Sequence, residues 1–385
     1  MEKRKMEKLN VETSLLGFGC MRLPLLENGK IDEIQAEEMI DMAYKAGVNY
    51  FDTAYPYHNG DSEPFVGKVL NKYDRDSYYL ATKLPVWLLE KPEDTRRVFE
   101  EQLKRLDKDY VDFYLLHALS KDRFHNIIKL NKVVETCEEL QKEGKIRYLG
   151  FSFHDDYNAF EEIITSRKWD FCQIQYNYMD TKENPGKRGY ELAEKLGVPL
   201  VIMEPIHGGS LANFSEDINQ EFYNIDKNKS ISSYALRWVA TRPNVKVVLS
   251  GMSSIEQAKD NINTFANFQP FNEIEEAMIG RVVKILDSRI QNQCTGCKYC
   301  MPCTAWVDIP TNFRLWNTFH IYKSYKTVMH AWENEVGASA MAKNCVKCGK
   351  CEEQCPQHIS IREDLVKVQA DLDKAKEEFH KKVAK

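Results

Sequence analysis

From residue 14 to about 266 the chain alternates short apolar, β-rich runs with longer stretches of helical period. The runs are SLLGFG (14–19), VNYFDT (48–53), SYYLATK (77–83), VDFYLLH (111–117), IRYLGFS (146–152), FCQIQYN (171–177), PLVIME (199–204) and VKVVLS (245–250), eight in all. They show little polar alternation, as expected of parallel strands buried on both faces. Between them, IDEIQAEEMIDMAYKAG, TRRVFEEQLKRL and KVVETCEELQKEG place apolar residues at steps of three and four, which predicts helices. Strand followed by helix, repeated to this length, predicts an α/β fold of the (β/α)8 TIM-barrel kind. An open doubly wound sheet usually follows its first strand with a three-glycine turn. GFGCMR offers only two glycines, so the barrel is the expectation.

After residue 270 the pattern changes. FNEIEEAMIGRVVKILDSRI predicts an amphipathic linking helix over 271–292. That leaves 1–270 for the barrel and 293–385 for a small, mainly helical, ferredoxin-like iron-sulfur domain. Within the latter, Phe313, Trp316, Phe319, Tyr322 and Tyr325 recur at steps of three, a helical stripe suited to a small aromatic core. Leu365, Val368, Leu372, Ala375 and Phe379 fall on one face of a C-terminal helix expected to dock on the protein. The mixed charges of its other face do not suit a membrane surface.

Composition narrows the function classes. A chain of 385 residues, 43% hydrophobic, is long enough for a large domain and a smaller one, and a net charge of −5 shows no bias toward nucleic acid. The basic opening, Met1 to Lys8, precedes no apolar run of signal-peptide length, and no apolar stretch approaches the roughly 20 residues of a membrane span. A cytoplasmic protein is the expectation.

Eleven cysteines change the picture, because eight of them lie between 294 and 355 in two tight groups, which in a reducing compartment points to metal. Cys20, Cys137 and Cys172 stand singly in apolar or helical surroundings and read as small buried hydrophobes. CVKCGKCEEQCP, with Cys345, Cys348, Cys351 and Cys355, has the C-x2-C-x2-C-x3-C-P spacing of bacterial ferredoxins, which hold [4Fe-4S] cubes. Zinc, the main rival, usually leaves a longer gap between cysteine pairs. CTGCKYCMPC, with Cys294, Cys297, Cys300 and Cys303, is less regular: its last gap is two residues, and Thr304 stands where proline would follow. Crossed ligation assigns Cys294, Cys297 and Cys300 with Cys355 to one cube, and Cys345, Cys348 and Cys351 with Cys303 to a second.

In such a barrel the chemistry belongs at the C-terminal ends of the strands. Asp52 closes the second strand, Lys83 ends the third, His117 ends the fourth, and Tyr57 follows Asp52 in its loop. A tyrosine with a pKa near 10 is a poor acid at neutral pH. A nearby Lys⁺ lowers that value, an Asp holds the Lys charged, and a His orients a substrate oxygen. Such a set can protonate a carbonyl oxygen as hydride reaches the carbon.

The order and spacing of these four residues, with GVNYFDTAYPYHNGDSE, resemble the aldo-keto reductases over about residues 14 to 266. The resemblance implies Tyr57 as general acid, Asp52 and Lys83 as its tuning pair, His117 as the orienting residue, and NADP or NAD as cofactor. It further implies cofactor contacts from Gly19, Cys20 and Met21; from Ser152 and Gln173, the latter on the nicotinamide carboxamide; from Met203, Pro205, Gly209 and Leu211 around MEPIHGGSL; and from Gly251, Ser253, Gln257, Asp260 and Asn261 at the adenosine end. Two positions depart from the pattern: Met203 stands where an aromatic ring usually stacks on the nicotinamide, and Met252 and Gln257 stand where basic residues often meet a 2′-phosphate. The tail resembles the ferredoxin-type extension of one aldo-keto reductase branch, and its long helical insert resembles the helical ferredoxin modules of respiratory iron-sulfur subunits.

The expected activity is hydride transfer between a nicotinamide and a small carbonyl or alcohol substrate, with two [4Fe-4S] clusters serving electron transfer, sensing or stability. Hydride moves two electrons and each cube one, and no flavin motif is apparent to mediate. An external ferredoxin-type carrier is the expected macromolecular partner. The alternative is an electron-transfer or redox-sensing protein that uses the nicotinamide-binding barrel as a scaffold.

Overall fold

A computed structural model describes residues 1–383. An antiparallel hairpin, β1 (Lys3–Met6) and β2 (Val11–Ser14), opens the chain. Eight strands follow: β3 (Leu16–Gly19), β4 (Tyr50–Asp52), β5 (Tyr79–Leu84), β6 (Val111–Leu119), β7 (Ile146–Phe153), β8 (Phe171–Gln175), β9 (Leu200–Met203) and β10 (Val245–Gly251). All neighbours are parallel, and β10 pairs with β3 to close the barrel. Each apolar run singled out in the sequence contributes one of these strands. Burial on both faces explains why they lack alternation: every residue of β3 and β4 is buried.

The hairpin escaped the sequence reading because KRKMEKLNVET is dominated by charge. Its buried apolar residues are Met6 and Val11, which complete the interior layer formed by Tyr50, Phe113, Phe171 and Val247, closing the barrel from the side opposite the strand C-termini. Burying a side chain of that size contributes about 1.5–3 kcal/mol. The two apolar positions therefore outweigh the polar majority around them.

The predicted helices form on the barrel's outer face. In α1 (Glu33–Lys45), Asp32 caps the first turn by accepting from the Gln35 amide at 3.2 Å, and Ala36, Met39, Ile40 and Ala43 are buried. Next come α2 (Ser62–Leu70) and α3 (Glu93–Leu106). These two touch at Gly67, where a Cβ would stand 2.0 Å from the carbonyl oxygen of Leu106.

A second compact unit is formed by residues 213–228 and the chain from 274 onward. The segment 213–228, expected within the barrel region 1–270, thus packs with the C-terminal residues instead. The linking helix spans Glu273–Asp287. Helix Ile309–Tyr322 and helix Ile361–Val383 pack on each other around Phe313, Trp316, Trp332, Leu365, Val368 and Leu372. The Trp316 indole N–H, which needs a partner when buried, donates to Asp371 Oδ2 at 2.7 Å. No helix among the described residues is long and apolar enough to cross a membrane.

Replacing Gly67 by alanine forces α2 and α3 apart, because the nearest atoms belong to backbone that cannot rotate away. The expected loss is about 1–3 kcal/mol, read from the unfolding of the barrel by near-ultraviolet circular dichroism. An unchanged midpoint would contradict the close approach.

Candidate active site and cysteine cavities

The ends of β4 and β5 are neighbours in register, with Asp52 opposite Ala81, and this places Lys83 beside the end of β4. The Lys83 ammonium, fully buried, donates to Asp52 Oδ1 at 2.6 Å and to the Thr53 carbonyl at 2.8 Å. Burial alone would favour loss of its proton, but the Asp52 carboxylate and then Tyr57 more than offset this, so its pKa is held above the ordinary value.

Tyr57, half-buried, opens a turn (Tyr57–Gly60) in which His58 and Asn59 take left-handed conformations, φ 52° and 55°. Its ring centre lies 4.8 Å from Lys83 Nζ. The sequence reading expected the lysine to draw the phenol down; in the structure burial is the larger effect, Lys83 opposes it, and the pKa is raised. The phenol therefore keeps its proton at neutral pH, and the ammonium beneath it would stabilise the tyrosinate left after donation.

His117 meets Tyr57 edge to face, ring centres 6.2 Å apart, and packs on Trp87 at 5.1 Å. It projects from an irregular stretch of β6, where the register shifts between Leu116 and Leu119 and Ala118 has φ 53°. Burial first, then the charge of Lys83, lowers its pKa well below the usual histidine range, so the ring is neutral. Its Nδ1 is buried without a partner, and no hydrogen bond engages Nε2 among the described residues.

The residues expected to hold a nicotinamide cofactor line the same rim. Gly251, Gly19 and Asp52 stand in one register across β10, β3 and β4, and Ser152 pairs with Gln173 across β7 and β8. The buried Gln173 amide donates to the Met203 sulfur at 3.3 Å, a weak acceptor, while its Oε1 has no partner. A primary carboxamide would satisfy both atoms. Pro205 and Leu211 are buried at either end of a loop whose exposed Gly208 and Gly209 have φ 64° and 99°, and the amides of His207, Gly209, Ser210 and Leu211 donate to carbonyls within that loop. Met21 and Ser253 line a cavity of about 480 Å³ on this rim, and the Ser253 amide is held by Gln257 Oε1 at 2.8 Å.

Three of the expected side chains are engaged within the fold. Cys20 is fully buried, with its thiol 3.9 Å from the Phe18 carbonyl. Asp260 accepts from Ser230 at 2.6 Å, and buried Asn261 donates to Ser250 at 2.9 Å.

Arg22 was not singled out from the sequence. Its side chain crosses the glycines of the rim: a Cβ on Gly251 would stand 3.1 Å from it, and one on Gly208 3.4 Å. Glu204 lies 3.9 Å away. A cation thus stands where Met252 and Gln257 provide none, and its position three residues after the strand-end Gly19 was the available signal.

The eight clustered cysteines line two cavities. Cys303, Cys345, Cys348 and Cys351 surround one of about 170 Å³, and Cys294, Cys297 and Cys355 surround a narrower one of about 20 Å³; Cys300 borders both. The grouping brings the fourth cysteine of each run to the first three of the other. Among the described residues no three such side chains converge on a single point. Thiolates spread around a cavity suit a polynuclear iron-sulfur core in both chemistry and arrangement.

Residues 15–284, most of the chain, match the aldo/keto reductase family. The chain belongs to that family. Residues 293–359 of this aldo-keto reductase match the 4Fe-4S dicluster domain. An uncharacterised oxidoreductase of Bacillus subtilis, YqkF, is 27% identical over 71% of the chain and 94% of its own length. The NADH-specific methylglyoxal reductase of Escherichia coli is 28% identical over 68% of the chain and 93% of its own length. Among solved structures, the holo form of the aldo-keto reductase AKR11C1 of Bacillus halodurans superposes with a TM-score of 0.62 at 28% identity, over 73% of this chain and 96% of that one.

The tetrad of this aldo-keto reductase rests on a polar network that the sequence reading also missed. From α3, Arg105 donates to the carbonyls of Tyr55 (3.0 Å) and Gly60 (2.6 Å), bracketing the turn that carries Tyr57, and pairs with buried Glu63 at 2.9 Å. Gln102 donates to Glu63 at 2.7 Å and to the Lys83 carbonyl at 3.0 Å. Gln102 and Arg105, three apart on the inward side of α3, were the visible sign.

In Asp52→Asn the Lys83 charge is left buried without its counter-ion, and the variant should be about 3 kcal/mol or more less stable near neutral pH. With the carboxylate, the folded lysine has a raised pKa, so its stabilisation is complete below the unfolded value of about 10.4 and lost as pH rises through the folded one. Without it, burial lowers the folded pKa, and the penalty shrinks as pH rises toward 10.4. Unfolding measured near neutral and near pH 10 should therefore show the gap narrowing; a constant gap would argue against a buried ion pair.

Proposed function

We propose that the barrel reduces a small carbonyl substrate with NADPH or NADH, Tyr57 acting as general acid. The observation that carries this reading is the buried Asp52–Lys83 ion pair beneath a protonated Tyr57, beside a neutral His117. The unpartnered Gln173 Oε1 and the glycine cradle under Arg22 support a nicotinamide dinucleotide as the bound group. That group would supply hydride when bound. His117 orients the carbonyl oxygen, Tyr57 delivers its phenolic proton to that oxygen, and Lys83 stabilises the resulting phenolate. Asp52 keeps Lys83 charged throughout.

For the second unit, the proposal is two [4Fe-4S] cubes with crossed ligation, Cys294, Cys297, Cys300 and Cys355 on one and Cys303, Cys345, Cys348 and Cys351 on the other. The separate cavities support it. Cys297 and Cys348 are exposed, which suits single-electron exchange with an external ferredoxin-type carrier.

Anaerobically purified protein should oxidise NADPH or NADH with members of a panel of aldehydes and ketones, and Tyr57→Phe should lower kcat by at least about 100-fold. A substitution without effect would remove the phenol from the mechanism. Iron and acid-labile sulfide should each come to about eight per chain, falling to about four in Cys303→Ser. About four in the unsubstituted protein would leave a single cube.

A further inference from the structure

Two rim loops place an arginine beside the catalytic histidine. Arg123 follows β6, and its guanidinium lies over the Trp87 ring at 5.3 Å. Trp87, in the loop after β5 and 41% exposed, packs in turn on His117 with ring centres 5.1 Å apart. A second link is through the backbone: Arg123 Nη1 donates at 2.7 Å to the carbonyl of Ala118, the residue after His117. The left-handed conformation of Ala118, φ 53°, accompanies the irregularity of β6 from which His117 projects, so the same bend serves both side chains.

Arg123 differs from the other cations of this rim. Lys83 is paired with Asp52, Arg22 with Glu204, and His207 with Asp180. No carboxylate stands within ion-pair reach of Arg123 among the described residues. A guanidinium over an indole and tied by one nitrogen is restrained, and the edge formed by its remaining N–H groups has no hydrogen-bond partner among the described residues. That edge matches a planar carboxylate, which accepts two parallel hydrogen bonds. The exposed indole between Arg123 and His117 offers an apolar surface to the substrate's body.

We propose that Arg123 is a specificity-determining residue that selects carbonyl substrates carrying a carboxylate, with Trp87 as the platform between the carboxylate and the reacting carbonyl. This rests on the reading of the barrel as a carbonyl reductase. The carbonyl oxygen meets Tyr57 and His117, and the carboxylate meets the edge of Arg123. No atom of Arg123 takes part in the proton or hydride transfer, so its effect falls on binding.

The test compares 4-carboxybenzaldehyde with 4-methylbenzaldehyde, which differ mainly in the charge of one substituent. The unsubstituted protein should prefer the carboxylate by at least about tenfold in kcat/KM. In Arg123→Met that ratio should fall toward one through a rise in KM for 4-carboxybenzaldehyde, while Arg123→Lys should retain part of it. Equal ratios in the unsubstituted and Arg123→Met proteins, or no preference in either, would overturn the proposal. Turnover of neither aldehyde by the unsubstituted protein would count against the reductase reading. Binding of benzoate, followed by titration calorimetry, still decides the role of Arg123 in that case: about tenfold weaker binding in Arg123→Met supports it, and unchanged binding refutes it.

Discussion

A lysine ammonium with no solvent exposure is tolerable only where opposite charge and hydrogen bonds replace water, and the active end of this barrel is organised around that requirement. Asp52 supplies the charge and the Thr53 carbonyl a second acceptor, both from the end of β4. The parallel register of β4 and β5 brings them to Lys83. Tyr57 can then sit half-buried as a neutral phenol next to an ammonium, a combination that keeps the proton in place and would favour the state after its release. Glu63, Gln102 and Arg105 extend the same logic outward: each buried polar group is answered by another, and the last of them holds the turn that carries Tyr57.

The neutral His117 follows from the same charge. An imidazolium next to Lys83, in a largely buried position, would add a cation with no counter-ion of its own; the neutral ring avoids this. The electrostatics of the mouth thus divide the labour. Lys83 is compensated by Asp52, the His117 ring is neutral, and Arg123, farther out, has no carboxylate within ion-pair reach among the described residues; the proposed roles in proton transfer, orientation and substrate selection rest on that division.

The second unit solves a different problem. A core made by two packed helices and a few aromatics is small, and its cysteine loops cover two cavities rather than an apolar interior. Metal ligation contributes folding energy to such a domain, because a preformed site is absent in the unfolded chain. The first cysteine run tolerates its short last gap and Thr304, since Cys303 lines the cavity of the other run.

The strands, the principal helices, the tetrad and the two cysteine runs were legible in the sequence because each is written in local spacing: unrelieved apolar runs, steps of three and four, residues at strand ends, and C-x2-C repeats. What the tertiary structure decided concerns residues whose meaning depends on partners far along the chain. The hairpin at Lys3–Ser14 looks polar until the barrel end makes room for Met6 and Val11. Residues 213–228 carry helical period but no sign of which core they join. The direction of the Tyr57 pKa depended on how much water burial removes against how much Lys83 returns, a balance that spacing does not contain. Arg22, Arg105 and Arg123 are ordinary charges in sequence. Closure of the barrel sets the first over Gly208 and Gly251, the second across the ends of the Tyr57 turn, and the third on Trp87 beside His117.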